Sequence, residues 1–256
     1  MIRKPDYSEL PKDRQIVFLA SGGRDSTALI LEAFHLGIKG VMLHGDTGLE
    51  CEKPLSTLRE LCDYTGYECF HVRPEGNIAE ILKESFYHIP DAIAFMQKTK
   101  IFRRNMFHCC GVLKHKPMND MLLKRCKDTT LVSGLKGGDQ AIHRLYRMRQ
   151  LRERNTLLRL HFNGLLYYYP LRDLGNKDVD EVLKEHGFED TEHSGCRICP
   201  IFCLFPNWVK RDAGTWLRSR NYARKLGISF PKCDQTMLTQ FYCETTGQEE
   251  KDDDSL

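Results

Sequence analysis

Two groups of residues in this sequence have the types and spacing that chemistry requires. One is a run of small and polar residues that follows an apolar segment, formed by Ser21, Gly22, Gly23, Arg24, Asp25, Ser26 and Thr27. The other is a set of cysteines, in which Cys109 and Cys110 are adjacent and Cys196 and Cys199 form a C-x-x-C pair. The first group favours phosphate binding, and the second favours metal binding.

The polar run Ser21–Thr27 joins a predicted strand over residues 15–20 to a predicted helix. Backbone N–H groups and the positive end of the helix dipole therefore meet at one point, which favours a bound phosphate. The hydroxyls of Ser21 and Ser26 can donate to it, and Asp25 can place a magnesium ion or cap the helix. The run lacks the Walker spacing, and an ordinary glycine-rich turn before a helix is the alternative interpretation.

Short apolar strands alternate with amphipathic helices along most of the chain. The predicted strands cover residues 15–20, 39–43, 67–72, 129–134 and 165–171, and the predicted helices cover 27–36, 54–64, 116–126, 176–186 and 208–226, with a mostly helical region at 77–107. This alternation predicts an α/β fold with a doubly wound, mostly parallel sheet. We divide the chain into a nucleotide-binding domain at 1–187, a cysteine-rich and helical extension at 188–248, and an acidic tail at 249–256.

The composition limits the class of protein. A chain of 256 residues that is 41% hydrophobic can bury one substantial core. No apolar run is long enough to span a bilayer, and the first residues lack the apolar stretch of a secretory signal, so we expect a cytoplasmic protein. In such a protein, eleven cysteines favour metal binding or redox chemistry over disulfides.

The polar run also resembles the SGGxDS signature of the PP-loop ATP pyrophosphatases. Three later elements resemble the phosphoadenylyl-sulfate reductase family, a branch of the PP-loop proteins. They are Asp46-Thr47-Gly48, Gly134-Leu135-Lys136, and Tyr169-Pro170-Leu171-Arg172-Asp173 followed by Asp178-Val179, where Leu174 replaces the tryptophan of the family. The matches keep the order of the family from about residue 14 to residue 203.

This resemblance implies an adenine nucleotide α-hydrolase-like fold that binds ATP with Mg²⁺ and releases pyrophosphate. The implied nucleotide-binding residues are those of the polar run together with Asp46, Thr47 and Gly134. Transfer of a phosphoryl or adenylyl group needs cations where negative charge develops. Our candidates are Lys114 and Lys136, followed by Lys116 and Arg144, and Asp25, Lys114 and Lys136 are the predicted catalytic residues.

The cysteine pattern resembles the arrangement that binds a [4Fe–4S] cluster in adenylyl-sulfate reductases of the same family. The implied ligands are Cys109, Cys110, Cys196 and Cys199, and Cys203 can replace Cys109 as the fourth. A zinc site and a set of buried thiols are the alternatives, because the spacing of thiolates does not by itself distinguish iron from zinc.

Two departures from the reductases bear on the activity. The chain lacks their C-terminal E-C-G-[IL]-H element, for which Cys243 is the nearest candidate, and it keeps the full SGGxDS form that suits ATP. Both favour an ATP pyrophosphatase that activates an oxygen for replacement by sulfur, in tRNA thiolation or DNA phosphorothioation. The run at 194–199 resembles the cysteine element of the phosphorothioation type. Reductive release of sulfite from adenylyl sulfate is one alternative, and a non-catalytic nucleotide-binding or iron–sulfur-binding module is another.

Basic segments favour DNA or tRNA as a partner, because phosphate contacts from lysine and arginine supply affinity that does not depend on base sequence. These segments are residues 98–104, the six arginines within 143–159, and the helix that contains Lys210, Arg211, Arg218, Arg220, Arg224 and Lys225. Solvated helix faces are the alternative interpretation. A sulfur-donor protein of the cysteine desulfurase kind and a homodimer complete the predicted partners, and no membrane partner is expected.

Overall fold

The structure is a computed structural model that describes residues 3–99, 108–126, 128–136, 151–160, 164–203 and 213–228. The described strands are β1 Gln15–Leu19, β2 Val41–Gly45, β3 Cys69–Val72, β4 Thr129–Val132, β5 Leu158–Leu160 and β6 Leu166–Tyr168. The described helices are α1 Arg24–His35, α2 Glu52–Thr65, α3 Ile78–Tyr87, α4 Ile89–Thr99, α5 His108–Cys110, α6 Lys116–Arg125, α7 Asn176–Glu185 and α8 Ala213–Lys225. A π-helical turn covers Gly111–His115, and a 3-10 turn covers Pro200–Cys203.

The strands form one sheet in the order β3-β2-β1-β4-β6-β5. All neighbours are parallel except β5, which pairs antiparallel with β6. The predicted doubly wound, mostly parallel α/β fold is therefore confirmed. Because β2 and β3 lie on one side of β1 and β4 and β6 on the other, the order reverses between β1 and β4. In open α/β sheets, ligands bind beyond the carboxyl ends of the strands at such a reversal.

Alternating side chains of β1 point to the two faces of the sheet. Ile16 and Phe18 belong to the core cluster that also contains the buried side chains of α1, and α1 contacts both α2 and α7. Val17 belongs to a second cluster on the opposite face, together with Leu122 of α6. Helices therefore cover both faces, which explains why the predicted strands read as nearly continuous apolar runs.

The described residues form two compact units. The first contains the sheet and consists of the residues up to Glu75 and of Leu113–Gly195. The second consists of Gly76–Val112 and of the residues from Cys196 onward. Within it, the ring of Phe86 on α3 meets that of Tyr222 on α8 edge to face, with centroids 5.0 Å apart. The boundaries predicted from the sequence stay a prediction, and the acidic tail at 249–256 lies outside the described residues.

Two of the differences from the sequence-based expectation have a clear physical reason. The first helix begins at Arg24, before the predicted start at Thr27. Polar residues stabilise the free N–H groups of a first turn, so the apolar pattern begins later than the helix does. The strand β5 was missed, since its three residues are too short to show a two-residue alternation. Among the described helices, none is long and apolar enough to cross a membrane.

The packing of Phe18 gives a stability test for this fold. Its side chain is fully buried, and its ring stacks on that of Tyr67 with centroids 5.6 Å apart. We expect Phe18→Ala to lower the free energy of unfolding by about 3–5 kcal/mol, because it leaves a cavity in the core. Urea unfolding measures this loss. The control Leu123→Ala, at an exposed position of α6, should change stability by less than about 0.5 kcal/mol; equal losses would contradict the assignment of Phe18 to the core.

Candidate active site

The polar run Ser21–Thr27 connects β1 to α1 and is held in shape by the buried hydroxyl of Ser26. This hydroxyl donates to the carbonyl of Gly23 at 2.9 Å and accepts from the N–H of Ser21 at 3.2 Å. Gly22 has a φ of +68°, and a Cβ there would overlap the carbonyl oxygen of Pro54. The start of α2 therefore leaves no room for a side chain at Gly22, and the loop keeps one backbone path.

The first turn of α1 presents N–H groups toward the end of the sheet. The N–H of Thr27 donates to the carbonyl of Gly23 at 3.0 Å, and the N–H of Arg24 donates to the carbonyl of Glu192 at 3.1 Å. The N–H groups of Asp25 and Ser26 also lie in this turn, where a helix supplies no acceptor of its own. An anion at this point would meet these donors and the positive end of the helix dipole.

Lys136 lies under the loop and contacts the carboxylate of Asp25. Its ammonium group donates to Oδ1 of Asp25, and the lysine is 4% exposed. A Cβ placed on Gly134 would lie 3.1 Å from the amide nitrogen of Ser26, so the chain after β4 passes directly beside the first turn of α1. A cation thus sits at the reversal point of the sheet, next to the candidate phosphate-binding amides.

The turn after β2 contains two of the predicted nucleotide-binding residues, Asp46 and Thr47. Asp46 accepts from Nε of Arg73 at 2.7 Å and from the N–H of Gly48 at 3.0 Å. Burial alone would raise the pKa of Asp46, but these two hydrogen bonds, together with the positive charge of Arg73, outweigh burial and lower the pKa. Glu50 accepts from both the N–H and the hydroxyl of Thr47, at 2.8 and 2.7 Å. The sequence analysis did not single out Glu50, although its T-x-x-E spacing is that of a capping box.

His44 and Lys114 lie at the same end of β2. Burial lowers the pKa of His44, and its Nδ1 donates to the carbonyl of Ala20 at 3.0 Å, so the ring is a neutral Nδ1–H tautomer. Its Nε2 is buried and has no hydrogen-bond partner among the described residues. The Cγ of Lys114 would be 3.3 Å from a Cβ on Gly45, and its charge adds to the lowering of the pKa of His44. Lys114 therefore stands beside the strand end.

The structure brings together most of the residues predicted for the nucleotide. Asp25, Lys136 and Gly134 meet at the loop, while Asp46, Thr47 and Lys114 lie at the end of the neighbouring strand β2. The secondary candidate Lys116 is exposed and pairs with Asp120 on the next turn of α6, at 2.8 Å. The other secondary candidate, Arg144, lies outside the described residues.

Four of the five predicted cysteine ligands interact within the second unit. A hydrogen bond with Cys110 and burial raise the pKa of Cys109 well above its ordinary value, and Cys199 adds to the effect. Burial, with contributions from Cys196 and Cys110, raises the pKa of Cys199 to about 12. Burial also raises the pKa of Cys203 to about 12. The nearby charge is that of Arg220, which lowers this pKa, and not that of another cysteine. Among the described residues, no three His, Cys, Asp or Glu side chains are placed to hold a single metal ion.

Two buried serines hold the backbone of this cysteine group. The hydroxyl of Ser85 on α3 accepts from the N–H of Cys109 at 2.8 Å, and the hydroxyl of Ser219 on α8 accepts from the N–H of Cys199 at 2.9 Å. Both serines are fully buried. Neither serine could be predicted from the sequence, because a serine in an amphipathic helix is an ordinary residue.

The predicted basic segments are partly described. On α8, Arg218 donates to the carbonyl of Arg197 at 2.9 Å, and the guanidinium of Arg220 lies 5.4 Å from the ring centre of Trp216. Arg224 and Lys225 are exposed on the last turn of the same helix. Residues 100–107, 137–150 and 204–212, which carry Arg147, Arg149, Lys210 and Arg211, lie outside the described part of the chain, as does Cys243.

A double-mutant cycle tests the contact between Asp25 and Lys136. Removal of Asp25 takes a carboxylate away from a buried ammonium group, whereas removal of Lys136 leaves a carboxylate whose side chain is 26% exposed and can hydrate. We expect Asp25→Ala to lower the free energy of unfolding by about 2 kcal/mol or more, and Lys136→Met to lower it less. In urea unfolding, the double variant should recover most of the loss of Asp25→Ala; strictly additive losses would show that the two groups do not interact.

Comparison with known proteins gives similarities of fold at low identity. No family model and no curated protein matches the chain. Among solved structures, a phosphoadenylyl-sulfate reductase from Candida auris in a phosphate complex is 10% identical, with 71% of this chain and 76% of that chain covered and a TM-score of 0.48. The U34-tRNA thiolase NcsA from Methanococcus maripaludis, with its [4Fe–4S] cluster, is 18% identical, with 90% and 78% covered and a TM-score of 0.49. An NH3-dependent NAD synthetase from Campylobacter jejuni, in complex with nitrate, is 14% identical, with 94% and 90% covered and a TM-score of 0.42. At these identities and TM-scores the assignment of a function depends on the site itself.

Proposed function

We propose that this protein is an ATP pyrophosphatase that adenylates an oxygen of DNA or tRNA, so that sulfur can replace that oxygen. The observation that carries the proposal is the loop Ser21–Thr27, which lies at the reversal point of the sheet with the Lys136–Asp25 contact beside its amides. The first turn supplies donors for a phosphate, and Lys136 supplies a cation within the same few residues.

The proposed reaction has two steps. In the first, the acceptor oxygen attacks the α-phosphorus of ATP, the bond between the α-phosphorus and the bridging oxygen breaks, and pyrophosphate leaves with its electron pair. In the second, the terminal sulfur of a protein persulfide formed by a cysteine desulfurase attacks the atom that carries the activated oxygen, and AMP leaves with that oxygen. A thiol reductant then cleaves the S–S bond to the donor protein, which leaves the sulfur on the nucleotide. No net oxidation of the nucleotide occurs, so its chemistry is that of group transfer.

The residues at the strand ends suit the first of these steps. Negative charge moves onto the departing pyrophosphate, and a preorganised cation lowers the energy of that charge. Lys136 is held by Asp25 at the loop, and Lys114 stands at the end of β2, where a second cation can meet the phosphates. Mg²⁺ is usually bound through one or two carboxylates together with substrate phosphates, which suits Asp25 and does not require a cage of protein ligands.

A nucleic acid acceptor is supported by the basic side chains of the second unit. Arg224 and Lys225 are exposed at the end of α8. Trp216 with Arg220 forms a cation–π pair on the same helix. Arginine and lysine on one helix can contact successive phosphates, which provides binding without base readout.

We further propose that Cys109, Cys110, Cys196 and Cys199 bind a [4Fe–4S] cluster. The donor set fits, because all four thiols belong to one unit and interact electrostatically, while Cys203 interacts with Arg220 instead. A cluster held by four cysteines contains several iron atoms, so its ligands can be spread around it. The cluster would supply a site for sulfur or for electrons.

Pyrophosphate release tests the proposed activity. We expect the wild-type protein to convert ATP to AMP and pyrophosphate, with stimulation by DNA or tRNA, and Asp25→Asn to reduce this rate at least about a hundredfold, because the amide neither holds Lys136 nor binds Mg²⁺ well. An enzyme-coupled pyrophosphate assay measures the rate. The control Asp120→Asn, which breaks an exposed pair on α6, should leave the rate unchanged.

Other outcomes of that assay would select among the alternatives. Sulfite release from adenylyl sulfate in the presence of a thiol reductant, without pyrophosphate release from ATP, would identify a reductase. Nucleotide binding without turnover of either substrate would identify a binding module. Either result would refute the proposed pyrophosphatase.

Anaerobic purification followed by metal analysis tests the cluster. The wild-type protein should be brown and contain iron and acid-labile sulfide, while Cys199→Ser should lose both, because it removes one of the four cluster ligands. The control Cys62→Ser, which alters a thiol of the first unit that packs against the core, should keep the colour. Stoichiometric zinc in the wild-type protein would contradict the cluster.

A further inference from the structure

The segment Thr191–Gly195, referred to below as the 191–195 segment, packs against the phosphate loop from far along the chain. The carbonyl of Glu192 accepts from the N–H of Arg24 at 3.1 Å, at the first residue of α1. The carbonyl of Gly195 accepts from the N–H of Cys51 at 3.2 Å, at the residue before α2. The segment therefore spans the N-terminal ends of two helices of the same unit.

Gly23 shows how closely this segment approaches. A Cβ built on Gly23 would lie 2.6 Å from the amide nitrogen of Ser194, 2.7 Å from its Cβ and 2.8 Å from its hydroxyl oxygen. Distances under 3 Å are shorter than van der Waals contact, so no other residue than glycine fits while Ser194 keeps its place. The hydroxyl of Ser194 is consequently next to the backbone of the loop at the point where the first turn of α1 begins.

Backbone hydrogen bonds hold the 191–195 segment in place beside the loop. Thr191 is buried, and its N–H donates to the carbonyl of Phe188 at 3.1 Å. The backbone of the segment is therefore hydrogen-bonded at Thr191, at Glu192 and at Gly195. Ser194 itself is exposed, so its side chain faces solvent beside the loop.

We propose that Ser194 is a nucleotide-binding residue whose hydroxyl donates a hydrogen bond to the phosphate chain held at the loop. This inference rests on the proposed function, because it requires a phosphate at the first turn of α1. The carbonyl of Glu192 already satisfies the N–H of Arg24, so the phosphate meets the amides of Asp25 and Ser26 on one side and Ser194 on the other. In the sequence, Ser194 begins the run at 194–199 that resembles a cysteine element, and nothing in that run indicates a contact with phosphate.

Calorimetry with α,β-methylene ATP tests this role, because that analogue keeps the charges of ATP and resists cleavage between the α- and β-phosphates. We expect Ser194→Ala to weaken its binding by about tenfold or more, the usual effect of losing a hydrogen bond to a charged group. Adenosine should bind both proteins equally, and Ser194→Thr, which keeps the hydroxyl, should retain most of the affinity. The matched control Ser56→Ala removes a hydroxyl that bonds within α2, and it should bind like the wild type.

The possible outcomes separate this inference from the proposed function. If the wild-type protein does not bind the analogue, the proposed function itself fails. If the wild type binds and Ser194→Ala binds equally well, the site stands and the role of Ser194 is refuted. Tighter binding by Ser194→Ala would also refute it, because the segment would then compete with the phosphate.

Discussion

The contact between Lys136 and Asp25 joins the two halves of the sheet at the point where ligands bind in this architecture. Burying an ammonium group is costly unless an opposite charge accompanies it, so the lysine that follows β4 and the first turn of α1 must stay together. The same contact places a positive charge beside N–H groups that already favour an anion. Structure and proposed chemistry therefore depend on one pair of side chains, and neither half of the sheet could shift without separating them.

The local part of this arrangement could be predicted from the sequence, because each piece is specified by neighbouring residues. The loop follows from small residues between a strand and a helix, and the end of β4 follows from a short apolar run. The contact between Glu50 and Thr47 could also be predicted, because the T-x-x-E spacing is that of a capping box. Contacts between distant segments were not predictable. Nothing in the residues near Ser194 indicates that they pack against Gly23, and β5 is too short to show a pattern.

The second unit shows why a charge pattern alone is an incomplete guide to function. The helix α8 was predicted as a basic surface, and some of its arginines are exposed. It also supports the cysteine group, since Ser219 accepts from the N–H of Cys199 and Arg218 bonds to the carbonyl of Arg197. One face of this helix therefore positions thiols while another remains available to a polyanion. The basic residues and the cysteines are both visible in the sequence. Only the packing shows which face of α8 supports the cysteines and which is exposed.

The π-helical turn Gly111–His115 has a consequence for the orientation of Lys114. A π turn holds one more residue than an α turn, and each residue of a helix rotates the next side chain by about 100°. The extra residue therefore sets the direction in which the side chain of Lys114 leaves the helix. This direction brings its Cγ to the end of β2. A chain one residue shorter here could retain the helix, yet direct the side chain of Lys114 away from the end of β2. Helical phase, set by a single inserted residue, thus determines whether the stem of Lys114 reaches the end of β2.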